Sequence, residues 1–484
     1  MEAQNLTLMT DLYELTMMQG YFKNKDRNET VIFDAFYRSN PMDSGYAISA
    51  GLDQVISYIK NLHFTEDDIT YLRSLNIFGE DFLEYLANFK FSGDIYAIPE
   101  GSVMFPREPM IKVIAPIMEA QLIETAILNI MNHQSLIATK ASRVCYAARG
   151  DGIMEFGLRR AQGPDAGTLG ARAAMIGGCI ATSNVLAGQL YGVPIKGTHA
   201  HSWVMSFPDE YTAFKTYAEM YPSACILLAD TYDTLKSGVP NAIRVFQEMR
   251  DKGIELTNYG IRLDSGDLAY LSKKARKMLD AAGFTDAIIS ASNDLDEHLI
   301  DSLKVQGAKI TSWGVGTHLI TSKDWPSFGG VYKLAAIYDS KTGEFIPKIK
   351  LSENSEKVTN PGNKTIYRIY DADGKIKADL ICLVGEVYDE NEPLVLFSPK
   401  EPWKKTRLEP GEYRMREMMI PIFKNGECVY DSPKVMDIRA YCASELDTLW
   451  DETRRLVNPH NVYVDLSQKL YDMKINLLHE MNRV

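Results

Sequence analysis

The chain of 484 residues lacks the features of membrane, secreted and nucleic-acid-coating proteins. No apolar run approaches the length of a membrane-spanning helix, and the N-terminal stretch MEAQNLTLMTDLYE carries acids where a secretion signal would carry basic residues. The formal net charge of −12 and the pI of about 5.3 argue against a protein that covers nucleic acid or a membrane surface. We therefore expect a cytoplasmic protein whose partners are small molecules, with no nucleic acid or membrane among them.

Cysteine is also scarce. The six cysteines include no C-x-x-C pair, so neither a disulfide framework nor a structural zinc site is indicated. No internal repeat or low-complexity segment is visible, which argues against a solenoid. What remains is an ordinary globular composition, with 45% hydrophobic and 24% charged residues, in a chain long enough for two or three domains.

The middle of the chain alternates short apolar strands with helices. Seven strands are predicted, at residues 153–156, 179–182, 193–198, 225–230, 259–264, 287–292 and 309–314. This alternation implies a parallel sheet, most simply closed into an irregular (β/α) barrel, with an open doubly wound sheet as the alternative.

The regions on either side of the barrel have different patterns. We predict an α/β protein in which residues 1–135 form a flanking mixed α+β domain and residues 136–328 form the barrel with the active site. Residues 329–400 have hairpin patterns and are expected to return as antiparallel strands to the N-terminal domain. Residues 401–484 are expected to form a mostly helical C-terminal extension.

The stretch GTHAHSW, residues 197–203, is the predicted chemical centre. The apolar run before it, residues 193–195, predicts a short buried strand that ends in a polar turn. The stretch places His199 and His201 two residues apart in a chain with only eight histidines. Histidine suits proton, phosphate or metal chemistry at neutral pH, although a single isolated histidine would be better interpreted as a core residue.

Charged side chains follow other predicted strands, at the sheet edge where parallel folds keep their chemistry. Asp230 and Asp264 could hold a divalent metal, bind ribose hydroxyls or face a cationic transition state. Asp267 is better interpreted as the N-cap of the following helix. Arg159 and Arg262 suit a carboxylate or a phosphate.

An aromatic residue and a glycine-rich turn complete this edge. Phe156 could stack on a flat ring, although a phenylalanine at a strand end is more often part of the core. The segment WGVGTHL, with Gly314, Gly316 and Thr317, is equally consistent with a phosphate cradle and with a turn that binds nothing. Together these residue types suit a phosphorylated sugar that meets an aromatic acid.

Eight segments, spread in one order over most of the chain, resemble the nicotinate phosphoribosyltransferase family. They are TDLYELTM, EFGLRRAQGPD, GTHAHSWVMSF, LLADTYDT, IRLDSGDL, SNDLDE, WGVGTHL and GGVYKL. The resemblance implies a type II phosphoribosyltransferase of NAD salvage, with an irregular α/β barrel, a flanking domain and a homodimer with shared active sites. It also implies that nicotinate and 5-phosphoribosyl 1-diphosphate give nicotinate mononucleotide and diphosphate, with Mg²⁺ bound and ATP hydrolysed as co-substrate.

The same resemblance implies roles for single residues. His201 would be phosphorylated by ATP and would act with Arg262 and Asp264 as the catalytic set. Phe156 and Tyr13 of the partner subunit would enclose the pyridine ring. The other implied substrate-binding residues are Arg159 at the nicotinate carboxylate or product phosphate, Thr198, Asp230 at the ribose or Mg²⁺, and Gly314, Gly316 and Thr317 at the 5-phosphate.

Two alternatives compete with this interpretation. A barrel-type metal-dependent hydrolase would use His199 and His201 as a pair of zinc ligands, with His318 as the only further candidate histidine. A regulatory relative would bind nucleotides without turnover. The family pattern leaves the position of His199 variable, so the sequence assigns it no role.

Overall fold

The structure, a computed structural model, describes residues 5–25, 29–352 and 357–481. The first four residues of the N-terminal stretch therefore lie outside the described residues. The chain divides into two compact units. Unit 1 contains Met1–Leu136, Ser327–Pro433 and Ala440–Val484, and unit 2 contains Ile137–Pro326 and Lys434–Arg439. Among the described residues, no helix is both long enough and apolar enough to cross a membrane.

The helices and strands are numbered in chain order. The described helices are α1 (Leu12–Asn24), α2 (Leu52–Lys60), α3 (Glu66–Ser74), α4 (Glu80–Ala87), α5 (Ile117–Leu122), α6 (Glu124–Ala147), α7 (Pro164–Ile176), α8 (Val185–Tyr191), α9 (His201–Met205), α10 (Glu210–Met220), α11 (Val239–Asp251), α12 (Leu268–Ala281), α13 (Glu297–Val305), α14 (Thr317–Ile320), α15 (Val435–Asp447), α16 (Asp451–Arg454) and α17 (Gln468–Met481). The described strands are β1 (Thr30–Tyr37), β2 (Ala47–Ile48), β3 (Asp94–Ala97), β4 (Val103–Met104), β5 (Ile111–Pro116), β6 (Gly152–Glu155), β7 (Ala181–Thr182), β8 (Cys225–Leu228), β9 (Tyr259–Leu263), β10 (Ile288–Ala291), β11 (Ser312–Val315), β12 (Gly330–Asp339), β13 (Glu344–Pro347), β14 (Lys364–Asp371), β15 (Ile376–Leu383), β16 (Leu394–Phe397), β17 (Lys405–Leu408), β18 (Tyr413–Glu417), β19 (Ile420–Lys424), β20 (Glu427–Cys428) and β21 (Tyr463–Leu466).

Unit 1 is built on two larger sheets. The first has the strand order β13-β12-β1-β5-β3-β19-β20, and the second has the order β18-β14-β15-β21. Strand β1 is buried along most of its length and pairs antiparallel with both β5 and β12. Its apolar side chains join those of β5 and of helices α2 to α5 in one buried core, which removes apolar surface from water.

Residues 401–484 are not mostly helical, and that prediction was wrong. The described part of this region contains the five strands β17 to β21 as well as helices α15 to α17. Strand β18 pairs with β14 and strand β19 pairs with β3, more than 300 residues earlier in the chain. Strand β19 also forms a hairpin with β20 across Asn425-Gly426, a local turn signal that the prediction overlooked.

Unit 2 contains a parallel sheet, which confirms the predicted α/β class. Its strand order is β7-β6-β11-β10-β9-β8, and every pairing within it is parallel. The strands are short apolar runs because the strands of a parallel sheet are buried on both faces. Parallel pairing brings the carboxyl ends of all six strands to the same edge of the sheet.

The sheet is a half-barrel, because the seventh predicted strand is not formed. In the segment 193–198, Ile195 makes a single β-bridge to Thr182 of β7. Pro194 has no N–H group to donate to a ladder, and the side chain of Ile195 is 50% exposed where a core strand would bury it. Within the described residues, β7 and β8 are therefore the two edges of the sheet and do not pair with each other.

Candidate functional site

A histidine connects the two edges of the half-barrel. The segment that forms the bridge to β7 continues to His199, whose Nε2 accepts a hydrogen bond of 3.2 Å from the backbone N–H of Leu228 in β8. Burial lowers the pKa of His199 to about 4, so the ring is neutral at neutral pH. An accepting Nε2 requires the proton on Nδ1, which lies 3.4 Å from the carbonyl oxygen of Ala200. His199 is therefore a buried structural histidine.

This arrangement does not support the hydrolase alternative. The Nε2 of His199 is already occupied, and His318 is held between Asp296 at 3.2 Å and Lys323 at 3.1 Å. Across the described ranges, no cluster of three or more His, Cys, Asp or Glu side chains could hold a metal ion. A zinc site of the H-x-H type needs further protein ligands, and the structure supplies none of them here.

Two carboxylates lie at adjacent strand ends. Asp264 follows β9, and its backbone N–H donates to Oδ2 of Asp230, which follows β8, at 2.8 Å. The hydroxyl of Ser265 donates to the same oxygen at 2.6 Å. The other oxygen of Asp230, Oδ1, is buried and has no hydrogen-bond partner among the described residues. Asp230 therefore offers one buried oxygen to a ligand while its other oxygen fixes the loop after β9.

Arg262 is the centre of a network of side chains. Its Nη1 donates to the hydroxyl of Thr198, its Nε donates to the hydroxyl of Ser292 at 2.9 Å, and its Nη2 lies 3.3 Å from Oδ1 of Asp264. The Ser292 hydroxyl in turn donates to the same oxygen of Asp264. The guanidinium, hydroxyl and carboxylate therefore form a closed triangle that fixes the orientation of all three groups.

His201 stands beside this network, at the start of α9. Its Nδ1 lies 3.1 Å from the hydroxyl of Thr231, and its Nε2 lies 3.8 Å from Oδ2 of Asp264. The two side chains of this His–Asp pair are 39% and 32% exposed, so solvent and ligands can reach them. No role was predicted for Thr231 or Ser292, because a position at a strand end does not indicate which side chain each contacts.

At the ends of β6 and β11 the structure has the aromatic ring of Phe156 instead of a network of charged side chains. Phe156 follows β6, and its backbone N–H donates to the carbonyl oxygen of Val315 at 2.8 Å. The carboxylate of Glu155 accepts hydrogen bonds from the backbone N–H of Gly157 and, at 2.6 Å, from the hydroxyl of Thr182. Burial raises the pKa of Glu155, while these two hydrogen bonds oppose the rise. Glu155 was not predicted to have a role, although an acid in an otherwise apolar strand is an unusual feature.

A cleft of about 310 Å³ opens between these two groups of strand ends. Phe156 and Arg159 line it from one side, and Thr198 and Arg262 line it from the other. Arg159 lies in a short 3-10 turn, Leu158–Arg160, and is exposed. The cleft thus offers an aromatic face and two guanidinium groups to a ligand.

The remaining predicted site residues are less closely grouped. Gly314 is buried within β11, Gly316 follows the end of that strand, and Thr317 begins α14. A Cβ atom built on Gly316 would lie 3.2 Å from the carbonyl oxygen of Phe156, so this turn runs close to the residue that carries the ring. Tyr13 lies on α1 in unit 1 and is 46% exposed.

Comparisons with known proteins cover nearly the whole chain. The model of the nicotinate phosphoribosyltransferase N-terminal domain matches residues 8–132, that of the nicotinate phosphoribosyltransferase family matches residues 152–362, and that of the C-terminal domain matches residues 363–474. The nicotinate phosphoribosyltransferase of Bacillus subtilis (strain 168) is 47% identical over 478 residues, which cover 99% of this chain and 96% of that protein. The human protein of the same name is 31% identical, covering 96% and 95%.

Solved structures give the same picture. The crystal structure of human nicotinic acid phosphoribosyltransferase matches with a TM-score of 0.85 and 29% sequence identity, covering 97% of this chain and 99% of that one. Nicotinate-nucleotide pyrophosphorylase from Pyrococcus furiosus matches with a TM-score of 0.69 at 22% identity, covering 93% and 97%. The second match shows a shared fold alone.

Proposed function

The chain belongs to the nicotinate phosphoribosyltransferase family, and from this premise we propose the reaction that it catalyses. Nicotinate and 5-phosphoribosyl 1-diphosphate combine to nicotinate mononucleotide and diphosphate, while ATP is hydrolysed to ADP and phosphate through a phosphohistidine at His201. The observation that carries the proposal is the cleft, which joins the ring of Phe156 and the guanidinium of Arg159 to the network of Arg262 and Asp264. His201 lies beside that network, 3.8 Å from Asp264.

The aromatic end of the cleft suits nicotinate. The pyridine ring stacks on Phe156, and its carboxylate pairs with Arg159, whose exposed guanidinium lines the same cleft. Nicotinamide has no negative charge, so it would not form the charge-assisted hydrogen bonds that the nicotinate carboxylate makes with the guanidinium. Tyr13 of the partner subunit would cover the other face of the pyridine ring.

The carboxylates suit the transfer step. Loss of diphosphate gives the anomeric carbon the character of a sugar cation, which Asp264 stabilises because Arg262 and Ser292 hold its carboxylate in one orientation. The pyridine nitrogen is itself the nucleophile, so this step requires no general base. Positioning of the two substrates in the cleft therefore supplies much of the rate enhancement.

The residues around Asp230 fit Mg²⁺, which prefers carboxylate oxygens and keeps several positions for water and substrate phosphates. The buried Oδ1 of Asp230, which has no hydrogen-bond partner in the part of the chain that the structure describes, would hold the ion. When bound, Mg²⁺ neutralises charge that develops on the departing diphosphate. Since the described residues contain no group of three or more metal ligands, water and substrate phosphates would supply the other ligands.

ATP enters the proposal through His201. Transfer of its terminal phosphoryl group to the imidazole releases ADP, and attack of water on the phosphohistidine later releases phosphate. Thr231 fixes the orientation of the ring by its contact with Nδ1 at 3.1 Å. The phosphohistidine places negative charge next to the site for the diphosphate and its metal ion, where it can order that site.

We also propose a homodimer with shared active sites. Each unit exposes apolar side chains that a monomer would be expected to cover: Leu12, Tyr13 and Met17 on α1 in unit 1, and Val185 and Leu190 on α8 in unit 2. Exposed groups of large apolar side chains mark protein–protein contacts. The position of Tyr13 on such a surface supports its proposed role in the site of a partner.

The test is product formation with and without ATP. We expect nicotinate mononucleotide from nicotinate and phosphoribosyl diphosphate with Mg²⁺, in an amount that rises with ATP and is accompanied by ADP. His201→Ala should keep a small rate that ATP no longer stimulates, because the variant cannot form the phosphohistidine. Absence of product under either condition would contradict the reaction, and equal stimulation of variant and wild type would contradict the role of His201.

A further inference from the structure

The ring of Phe156 rests on the backbone of Gly314 in the neighbouring strand. A Cβ atom built on Gly314 would lie 2.5 Å from Cδ2 and 2.7 Å from Cε2 of that ring. Gly314 is buried within β11 and pairs with Met154 of β6, so its backbone is held by the sheet. Any side chain at position 314 and the present position of the ring therefore exclude each other.

The backbone of Phe156 cannot move to relieve such a conflict. Its N–H is bonded to Val315, and the next N–H, that of Gly157, is bonded to the buried carboxylate of Glu155. A Cβ atom on Gly157 would lie 2.4 Å from Cβ of Ile320, so this turn is also packed tightly on its other side. A side chain at position 314 would therefore displace the ring itself, and the open space next to the ring is the cleft.

We propose that Gly314 is a positioning residue and that it does not bind the 5-phosphate. It sets the depth of the space next to the Phe156 ring in the cleft, which we call the aromatic slot. The inference rests on the proposed function, in which Phe156 stacks on the pyridine of nicotinate. With glycine at position 314 the ring lies back against β11, and its other side faces the cleft. The slot is thus specific for flat heteroaromatic acids, and its specificity comes from the absence of a side chain.

The first experiment is Gly314→Ala with full kinetics for both substrates. The added methyl group pushes the Phe156 ring into the slot, so we expect the KM for nicotinate to rise at least about tenfold. The KM for phosphoribosyl diphosphate should stay within about twofold of wild type, because the ribose and phosphate side of the cleft is untouched. Gly343→Asn in the exposed turn between β12 and β13 is the control, since a Cβ atom there has no neighbour among the described residues within 4 Å apart from adjacent chain atoms, and asparagine tolerates its positive φ of 75°.

The decisive experiment repeats the substitution in a Phe156→Ala background. Phe156→Ala alone raises the KM for nicotinate, and with the ring absent Gly314→Ala should then add no further increase. If Gly314 instead binds the 5-phosphate, Gly314→Ala still raises a KM in this background, and the increase is seen in the KM for phosphoribosyl diphosphate. That result would overturn the inference.

If Gly314→Ala alone fails to fold, recovery of its circular dichroism spectrum and melting temperature in the double variant supports the steric conflict, and failure of both variants contradicts it. A wild-type protein that forms no nicotinate mononucleotide would refute the proposed function separately.

Discussion

The strand ends of unit 2 form two groups that are built by different means. After β8, β9 and β10, the polar side chains are joined to one another, with Arg262 and Ser292 both bonded to Asp264. After β6 and β11, the ring of Phe156 rests on a glycine, and the carboxylate of Glu155 is used to hold backbone. The first group fixes the orientation of charged side chains, whereas the second fixes the position of the aromatic ring of Phe156.

This difference indicates how the two groups should contribute to the proposed reaction. Charges that are held by each other keep their orientation before substrate arrives, so they can stabilise charge that develops only in the transition state. A ring held by the backbone discriminates between flat and bulky ligands in the ground state and the transition state alike. Substitutions in the charge network should therefore lower kcat, while substitutions around the ring should raise the KM for nicotinate.

Asp264→Asn should give the largest effect. The amide keeps the shape of the side chain but removes the negative charge that faces the sugar cation, so we expect kcat to fall about 10²- to 10³-fold. The KM for nicotinate should change by less than about threefold, since Phe156 and Arg159 are untouched. Steady-state kinetics for both substrates would measure the two parameters separately.

The chain offers a matched control for this substitution in the same loop. Asp267 caps α12 by accepting a hydrogen bond from the backbone N–H of Tyr270 at 2.9 Å, and asparagine is an equally good N-cap. Asp267→Asn should therefore keep kcat close to wild type. A loss in Asp264→Asn that appears in the KM for nicotinate and leaves kcat unchanged would contradict the division between the two groups.

The fold was predictable where the signals in the sequence are local. Six of the seven strands predicted for the middle of the chain form the parallel sheet, because each is a short, mostly apolar run between helices. The seventh was predicted from the apolar residues Val193 and Ile195, but Pro194 between them cannot donate to a ladder. After residue 401, β18 and β19 were missed because they pair with strands far away in sequence, whereas the hairpin of β19 and β20 was missed although its Asn425-Gly426 turn is a local signal.

The site was predictable as a set of residue types at strand ends, because a parallel sheet brings those ends together. The sequence could not show which side chains bond to which, since Ser292 and Thr231 act through contacts with residues about 30 positions away. Nor could it show that His199 is a buried acceptor while His201 is open to solvent. That distinction depends on the backbone N–H of Leu228, which the fold places beside His199.

Ser292→Ala should lower kcat less than Asp264→Asn does. It tests whether Arg262, Ser292 and Asp264 act as a unit. The substitution leaves Nε of Arg262 without its acceptor and removes one donor from Asp264, so the two charges lose a shared anchor. An unmade hydrogen bond of this kind corresponds to a loss of about tenfold in kcat. Ser292→Thr keeps the hydroxyl and should restore most of the rate, and an equal loss in both variants would indicate a packing effect.

The smallest effect on the reaction rate is expected at His199, which lies between the two groups, and its contribution is measured through stability. The unfolded chain protonates this ring near the ordinary histidine pKa of about 6.5, whereas the folded protein holds its pKa at about 4. As the pH falls through this interval, the unfolded state binds the proton first, so the folded state loses about 2 kcal/mol between pH 7 and pH 5. His199→Gln can still accept from the N–H of Leu228 but does not titrate. Urea unfolding at the two pH values should therefore show that the variant loses about 2 kcal/mol less unfolding free energy than wild type.

His133, whose pKa is also lowered by burial, contributes equally to both proteins and cancels in the difference. An unchanged pH dependence in the variant would mean that His199 is not a buried neutral acceptor, and the edge of the half-barrel at β8 would then need another partner.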